Sequence, residues 1–527
     1  LSVRKAVFKP YAQAIPGAFA VDKRDRSPCT NGCPNRVNAH AYVALIAQRR
    51  YRETMQVILR DLPLPGVIGR ICPHPCETAC RRGEVDEPIS ICALKRFAAD
   101  QVDVEELPLP DIPQRHEKVA VIGSGPAGLT AAYFLALEGC RVTIFEALPV
   151  AGGMLRVGIP DYRLPPAVLD KEIRAITRLG VQIRLNTALG RDITIAQLRA
   201  EGYQAMYLAI GAHRSLRLNI PGEDAEGVFP GVELLRRVNL GEVSQLNGNV
   251  AVVGGGDVAI DAARSAVRLG AEQVSVLYRR TRNEMPARAK EVEDALAEGV
   301  DIRFLTAPVE IAADNDKVKA VRCLKMQLGE PDASGRRRPV PIPGSEFDIE
   351  ADVVIAAIGQ QVDSLHLQEA EGLQLTRKGT IEADSITLAT NLDGVFAGGD
   401  AQTGPWIAIA AVAAGKQAAL SISRYLQGED LSAGRERVEA RQQNFLPIPA
   451  KVELHPRAEI NVLAMSRRRA GFAEVELGFS EEQAVAEAQR CLNCMACCEC
   501  FQCVEACKAG AVTLQTHAQR EDALTLE

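Results

Sequence analysis

An α/β fold with two Rossmann-like dinucleotide-binding domains, one inserted in the other, is what this sequence predicts. A helical cysteine-bearing domain precedes them and a small cysteine-rich segment follows. Two observations carry that prediction. Glycine-rich loops of the G-x-G-x-x-[GA] type occur twice, at Gly123–Gly128 and at Gly254–Ala259, each after a short apolar run. Thirteen of the fifteen cysteines lie at the two ends of the chain, outside both loops. At 527 residues the chain is too long for one core, and three to four folding units are expected.

Composition narrows the function classes. The hydrophobic share is 47% and the charged share 24%, as in ordinary globular proteins. A net charge of -6 offers no basic footprint, so nucleic acid is not an expected partner. The longest apolar run, near Ile407–Ala414, falls far short of a membrane span. No charged-then-apolar signal segment is visible. The close C-x-x-C spacings therefore read as metal ligands in a reducing compartment rather than as disulfides, and a cytoplasmic location is expected.

Along the chain, the first hundred residues alternate Cys-Pro turns with short helical patterns. Apolar residues recur at helical spacing from Tyr42 to Leu59, ending before Pro63, Pro65 and Gly66. A Pro-rich linker, Leu107–Pro113, closes this unit. Val119–Ile122 then reads as a buried strand, followed by the first glycine loop, a helix through Leu137 and a strand at Val142–Phe145. The cycle restarts with a strand at Val250–Val253, a helix through Leu269 and a strand at Val274–Tyr278. Short strands at Val353–Ile358 and Gly394–Ala397 and an Ala-rich helix at Ile407–Leu426 look like the first unit being completed after the second. Arg435–Gly478 is polar and irregular. Ser480–Arg490 is a helix with Ser480 as N-cap and Glu481 and Glu482 in its first turn. The expected domains are 1–106 (helical), 107–117 (linker), 118–245 with 346–432 (first α/β unit), 246–345 (second unit), 433–480 (linker) and 481–527 (C-terminal segment).

The first loop is Gly123-Ser124-Gly125-Pro126-Ala127-Gly128. Its first glycine permits the tight turn, the second lets backbone approach a pyrophosphate, and the third lets helix and strand pack closely. Glu146 ends the next strand, where a carboxylate can bond ribose hydroxyls. Gly152 and Gly153 follow, and Gly399-Asp400 ends a strand far downstream. In two-dinucleotide flavoproteins a Gly-Asp at such a place bonds the ribityl–phosphate region, so the first unit is read as an FAD site. The helix after Pro405 can aim its N–H groups at the flavin ring. Trp406, at the start of that helix, is read as a packing residue rather than a cover for the flavin.

The second loop, Gly254, Gly256, Asp257, Val258 and Ala259 among its residues, repeats the pattern with alanine in the third slot. The strand after it ends Tyr278-Arg279-Arg280. An NAD site would place a carboxylate there. Two guanidiniums match a 2′-phosphate instead, so NADP(H) is expected, with Arg279 and Arg280 as the discriminating pair.

At the C-terminus, Cys497-x2-Cys500-x2-Cys503-x3-Cys507 has the spacing of a bacterial ferredoxin run, with Lys508 where ferredoxins carry Pro. Cys491-x2-Cys494 precedes it, and Cys498 lies within it. Serial C-x2-C steps without His favour iron–sulfur over zinc. At the N-terminus stand Cys29-x3-Cys33, Cys72-x3-Cys76-x3-Cys80 and Cys92. Cys140 and Cys323 occupy ordinary strand contexts and are read as structural.

The stretch Gly69-Arg70-Ile71-Cys72-Pro73-His74-Pro75-Cys76-Glu77-Thr78-Ala79-Cys80, the first glycine loop, Gly158-Ile159-Pro160-Asp161-Tyr162-Arg163-Leu164-Pro165 and Tyr278-Arg279-Arg280 together resemble the glutamate synthase small-subunit family. That family includes the N-terminal half of dihydropyrimidine dehydrogenase and the large subunit of NADH-dependent ferredoxin:NADP oxidoreductase. The resemblance covers about residues 25 to 430. It implies FAD on the first unit, NADPH on the second, two [4Fe-4S] clusters in the N-terminal domain, and a place for electron bifurcation among the activities to test.

The chain departs from the family pattern in one respect. Relatives carry a C-x2-C pair, often in an Arg-Cys-Leu context, ahead of the position matching Cys29. Here Arg490-Cys491-Leu492-Asn493-Cys494 stands at the far end instead. The resemblance thus implies that the C-terminal segment returns this pair to the N-terminal domain, in the same or a neighbouring chain. One cluster would use Cys29, Cys80, Cys491 and Cys494. A second would use Cys33, Cys72 and Cys76, with Lys95 at the usual Glu or Gln ligand position and Cys92 as the replacement. A third would use Cys497 or Cys498 with Cys500, Cys503 and Cys507.

The expected activity is hydride exchange between NADP(H) and FAD, with single electrons passing through two to three [4Fe-4S] clusters. No residue is assigned a catalytic role of its own, the flavin carrying the chemistry. The expected partner is another polypeptide of a hetero-oligomer, such as a reductase, hydrogenase, ferredoxin or glutamate-synthase-type subunit. The rival reading is an electron-transfer scaffold with a vestigial nucleotide site.

Overall fold

A computed structural model describes residues 26–332, 335–364, 367–368, 371–435, 445–495, 497–508, 512 and 514. The ends of the first and last expected domains, 1–25 and 515–527, lie outside the described residues.

The N-terminal domain is helical, as its patterning predicts, but its longest expected helix is broken. Ala39–Ile46 and Tyr51–Leu59 are separate helices, and Arg49 between them takes a left-handed φ of 58°. A side chain pays for that conformation with steric strain, so the apolar periodicity survives across a turn that sequence alone does not announce. Pro65–Ile71 and Ile91–Gln101 then cross closely. A Cβ on Gly69 would lie 2.8 Å from the Arg96 backbone, so glycine is what lets these helices meet.

The first α/β unit is a parallel sheet of five strands. From edge to edge they run Val395–Ala397, Tyr203–Leu208, Lys118–Ile122, Arg141–Phe145 and Gln182–Arg184. The Val119–Ile122 run is fully buried, as a parallel strand covered on both faces requires. The helices Pro126–Leu137 and Ala408–Gln427 pack face to face above it. Gly415 sits so close to the Ala127 carbonyl that any side chain there would collide.

The second unit is also a five-stranded parallel sheet: Val228–Pro230, Val353–Ala356, Asn249–Val253, Gln273–Tyr278 and Asp301–Phe304. Val353–Ala356 pairs with Val250–Val253 and therefore belongs to this sheet, not to the first. The insertion reaches further on both sides than 246–345. A run of four buried apolar residues carries no mark of which sheet it joins. An antiparallel sheet, Thr306–Asp314, Lys317–Pro331, Arg337–Pro341 and Phe347–Glu350, is added to this unit. The alternation along Lys317–Leu328 was its available signal.

The irregular stretch after residue 444 is not a free linker. Arg457 pairs with Glu77, Arg70 and Arg96 both reach Glu474, and Asn461–Val462 pairs with Glu476–Gly478. The helix Glu481–Gln489 follows with the expected Ser480 cap. Ser480 Oγ accepts the Gln483 N–H at 3.2 Å and Gln483 Oε1 accepts the Ser480 N–H at 2.8 Å. One continuous apolar core joins the N-terminal helices, the first sheet and this C-terminal helix, running through Phe97, Val121, Phe396, Phe479 and Ala488. No described helix is long and apolar enough to cross a membrane.

Candidate functional site

A cavity of about 880 Å³ opens at the carboxyl ends of the first sheet. Gly123, Gly125, Pro126, Ala127, Glu146, Gly153 and Asp400 line it, with Gly128, Gly152 and Gly399 just behind. The three loop glycines have separate reasons to be glycine. Gly123 has φ 103° and faces the Ala209 carbonyl; Gly128 backs directly onto the Gly123 carbonyl. Nothing lies within 4 Å of a Cβ on Gly125, so that position stays open toward the cavity. Gly125 caps the helix that begins with Pro126, leaving the first N–H groups unspent. Glu146 is buried. It accepts the Ser124 N–H at 2.8 Å and the Leu148 N–H at 2.9 Å, which fixes its carboxylate at the rim. Burial holds the Asp400 carboxyl up at about 6.

A second cavity, about 800 Å³, lies over the second sheet. Gly254, Gly256, Asp257, Val258, Arg279 and Arg280 line it, and Ala259 is buried beneath them. Gly254 faces the Ala357 carbonyl and Gly256 is open, repeating the division of labour in the first loop. The two cavities meet. Asp257, Val258, Gln360, Pro405 and Trp406 line both.

A buried ionic network holds this junction. Arg163 bonds Asp261 at 2.6 Å, and the Arg268 guanidinium lies 3.9 Å from the Tyr162 ring centroid. Glu298 receives Arg264 at 2.8 Å and Arg268 at 2.6 Å. Tyr162 and Arg163 come from the first unit and their partners from the second, so the Gly158–Pro165 motif sets the angle between the cavities.

The cysteines form two groups in the N-terminal domain. Cys29, Cys80, Cys491 and Cys494 line one small cavity, walled by Val43, Ile89, Ile91 and Leu492. The C-terminal pair thus comes home within the same chain. Arg490 secures it, reaching Glu487 at 2.8 Å, Asp86 at 3.0 Å and the Glu87 carbonyl at 2.8 Å. Burial pushes the Cys29 thiol up to about 11 and the Cys491 thiol up to about 12. Cys33, Cys72, Cys76 and Cys92 form the second group, all buried around the ammonium of Lys95. Ile71 and Pro73, on either side of Cys72, line the first cavity, so this group abuts it.

The C-terminal cysteines are looser. Cys498 and Cys500 pack on Ala41, Leu45 and Val57, Cys497 lies beside them, and Cys503 is exposed. Among the described residues no three His, Cys, Asp or Glu side chains crowd closely enough to chelate a single ion. A cubane, with iron set between its sulfurs, spaces thiolates more widely than a mononuclear site with bonds of about 2.3 Å.

Comparison with known proteins agrees with this geometry. Residues 117–415 match the family described as pyridine nucleotide-disulphide oxidoreductase, and residues 20–107 match the 4Fe-4S domain II of dihydropyrimidine dehydrogenase. The chain belongs to the pyridine nucleotide-disulphide oxidoreductase family. The NADP(+)-dependent formate dehydrogenase subunit beta of Moorella thermoacetica is 46% identical, over 88% of this chain and 70% of that one. The NADPH-Fe(3+) oxidoreductase subunit beta of Geobacter sulfurreducens is 42% identical, over 88% and 75%. The glutamate synthase [NADPH] small chain of Escherichia coli is 33% identical, over 81% and 96%, which bears out the resemblance read from the motifs. FprA of Mycobacterium tuberculosis, solved with NADPH, shares the fold with a TM-score of 0.51 at 21% identity, covering 60% of this chain and 85% of that one.

Two readings of this oxidoreductase change. Arg280 lines the nucleotide cavity but is buried and committed: it donates to Asp332 at 2.7 Å and to the Arg337 carbonyl at 2.8 Å. Arg279 is exposed at the cavity, and Arg336 lines it too. Arg279 and Arg280 both lie just past the end of the strand Gln273–Tyr278, and of the two it is Arg280 whose guanidinium is spent on protein partners. Trp406 is not a packing residue, being 65% exposed.

Sequence reasoning also missed His213, which lines the first cavity at the end of a loop from Tyr203–Leu208. Burial, with Arg236 nearby, holds its imidazole down at about 4, so it is neutral at physiological pH. The rule that ligands sit beyond the carboxyl ends of parallel strands was the signal that could have found it.

Proposed function

We propose that this chain is the pyridine-nucleotide-facing subunit of a larger redox enzyme. It exchanges hydride with NADP(H) at FAD and passes single electrons through [4Fe-4S] clusters to or from a partner polypeptide. The observation that carries the reading is the contiguity of three spaces. The nucleotide cavity opens into the cavity of the first unit, and Cys72 stands between two residues that wall the latter. The names of the relatives, formate dehydrogenase and Fe(3+) oxidoreductase beta subunits among them, support NADP(H) as the nucleotide and a multisubunit setting.

The residues fit the groups assigned to them. Gly123, Gly125 and the first N–H groups of Pro126–Leu137 would hold the FAD pyrophosphate, with Glu146 on the ribose and Asp400 on the ribityl side. Gly254, Gly256 and the helix Asp257–Arg268 would hold the NADP(H) pyrophosphate, with Arg279 and Arg336 on the 2′-phosphate. When bound, FAD supplies the two-electron to one-electron conversion. The chain's share is orientation: the Tyr162–Arg163 network holds the cavities at one angle, and the neutral His213 adds no charge to the wall of the first cavity. Cys29, Cys80, Cys491 and Cys494 would ligate an outer cluster and Cys33, Cys72, Cys76 and Cys92 an inner one. Cys497 or Cys498, with Cys500, Cys503 and Cys507, would serve a third.

The test is anaerobic. NADPH should bleach the flavin of the full chain faster than NADH, and the isolated protein should contain iron and inorganic sulfide. Bleaching by neither nucleotide would leave only the scaffold reading, and absence of iron would end both.

A further inference from the structure

We propose that Trp406 packs against the nicotinamide ring of NADP(H) and closes the hydride-transfer junction to water. The inference rests on the proposed nucleotide reading and adds to it the residue that seats the reacting ring.

Trp406 is the single tryptophan of the chain. Its side chain is largely exposed, and it lies where the two cavities meet and lines both. Its backbone is fixed. Gly404 takes a φ of 80°, Pro405 follows, the Trp406 N–H donates to Asp400 Oδ1 at 3.2 Å, and the helix Ala408–Gln427 starts two residues on. An aromatic ring on a fixed backbone that buries little of itself in protein has its apolar surface available for a ligand. Planar nicotinamide is the ring that must reach this place if hydride is to pass between the cavities. Stacking on an indole suits it, and the oxidised ring adds a cationic attraction to the indole face. The link to Asp400 ties the Trp406 backbone to the residue assigned to the ribityl side, so the two rings would be registered by one short segment, Asp400–Trp406.

Single-tryptophan fluorescence tests this directly in the FAD-loaded full chain. Titration with NADP+ should quench the emission saturably, and Trp406→Ala should abolish the signal altogether. The KM for NADPH in flavin reduction should rise about three- to tenfold in Trp406→Ala, whereas Trp406→Phe should stay near the parent. The long-wavelength absorbance of a stacked nicotinamide–flavin pair should be lost in Trp406→Ala and kept in Trp406→Phe. Unchanged fluorescence at saturating NADP+, or a Trp406→Ala variant with parental KM and absorbance, would overturn the proposal. Flavin that NADPH reduces normally in the parent while the indole stays silent would sink this inference alone. Flavin that NADPH never reduces would sink the underlying nucleotide reading.

Discussion

Replacing Cys491 and Cys494 together with serine removes two of the four thiols around the outer cysteine cavity while leaving the segment docked. Docking does not depend on sulfur. The Glu487 carboxylate, 1% exposed, accepts the Ser90 N–H at 2.8 Å and the Ala458 N–H at 2.9 Å, and pairs with Arg490. The helix Glu481–Gln489 also contributes Ala484 and Ala488 to the shared core. The double variant should therefore fold, keep its flavin, and lose one cubane, or about four irons and four sulfides per chain. Metal and sulfide analysis beside paramagnetic resonance of the reduced protein measures this. One N-terminal signal should vanish and the one from the inner group should remain. Arg490→Ala is the contrast. It strips a buried partner from Glu487 and Asp86, costs about 3–5 kcal/mol, and should release the whole segment. Undiminished iron with both N-terminal signals intact in the double variant would refute the return of this pair to the cage.

Three further outcomes follow from the geometry. Lys95→Met removes a buried cation beside four cysteines. At an effective dielectric near 20 and a separation of ~6 Å that charge is worth about 3 kcal/mol, so the inner cluster's potential should fall by ~100 mV in a redox titration followed by resonance spectroscopy. Arg279→Ala should weaken NADPH roughly tenfold or more in steady-state assays and leave NADH nearly untouched, whereas Arg280→Ala should act mainly through the hairpin that Asp332 and Arg337 anchor. Glu298→Ala leaves Arg264 and Arg268 buried without their shared carboxylate and should cost about 3–5 kcal/mol, seen as earlier thermal unfolding.

The glycine loops were legible because each asks for glycine for a reason local to a strand–turn–helix. Gly123 must turn, Gly128 must yield to a carbonyl, and Gly125 must stay open. The returning Cys491–Cys494 pair was legible through its Arg-Cys-Leu context, a signal of homology rather than of spacing. What escaped was decided by long-range packing. Nothing in Val353–Ala356 says which sheet it joins, and nothing in Arg279-Arg280 says which guanidinium Asp332 will take. Trp406 was misread because a large aromatic is most often core, and only the meeting of two cavities shows otherwise.

On the proposed ligand sets, two of the three N-terminal C-x3-C steps, Cys29–Cys33 and Cys76–Cys80, would tie the two cages together. Cys29 lies in the helix Pro28–Asn31 with Cys33 two residues past its end, and Cys76 lies in Pro75–Thr78 with Cys80 two residues past its end; in each pair one thiol belongs to the outer group and the other to the inner. Four helical residues rise only about 6 Å, so two cages that share both turns are held within a short electron hop of each other. The inner cage touches the flavin cavity through Ile71 and Pro73. The outer cage is walled by Ala39 and Val43, while Ala41 and Leu45 of the same helix, Ala39–Ile46, meet Cys498 and Cys500. On these sets the electron path would run from flavin cavity to inner cage to outer cage to C-terminal cysteines. In this chain it is the far end, folded back onto the beginning, that brings Cys491 and Cys494 to Cys29 and Cys80. The stretch from Arg457 to Phe479, tied to Glu77 through Arg457 and to Arg70 and Arg96 through Glu474, holds that end against the N-terminal domain.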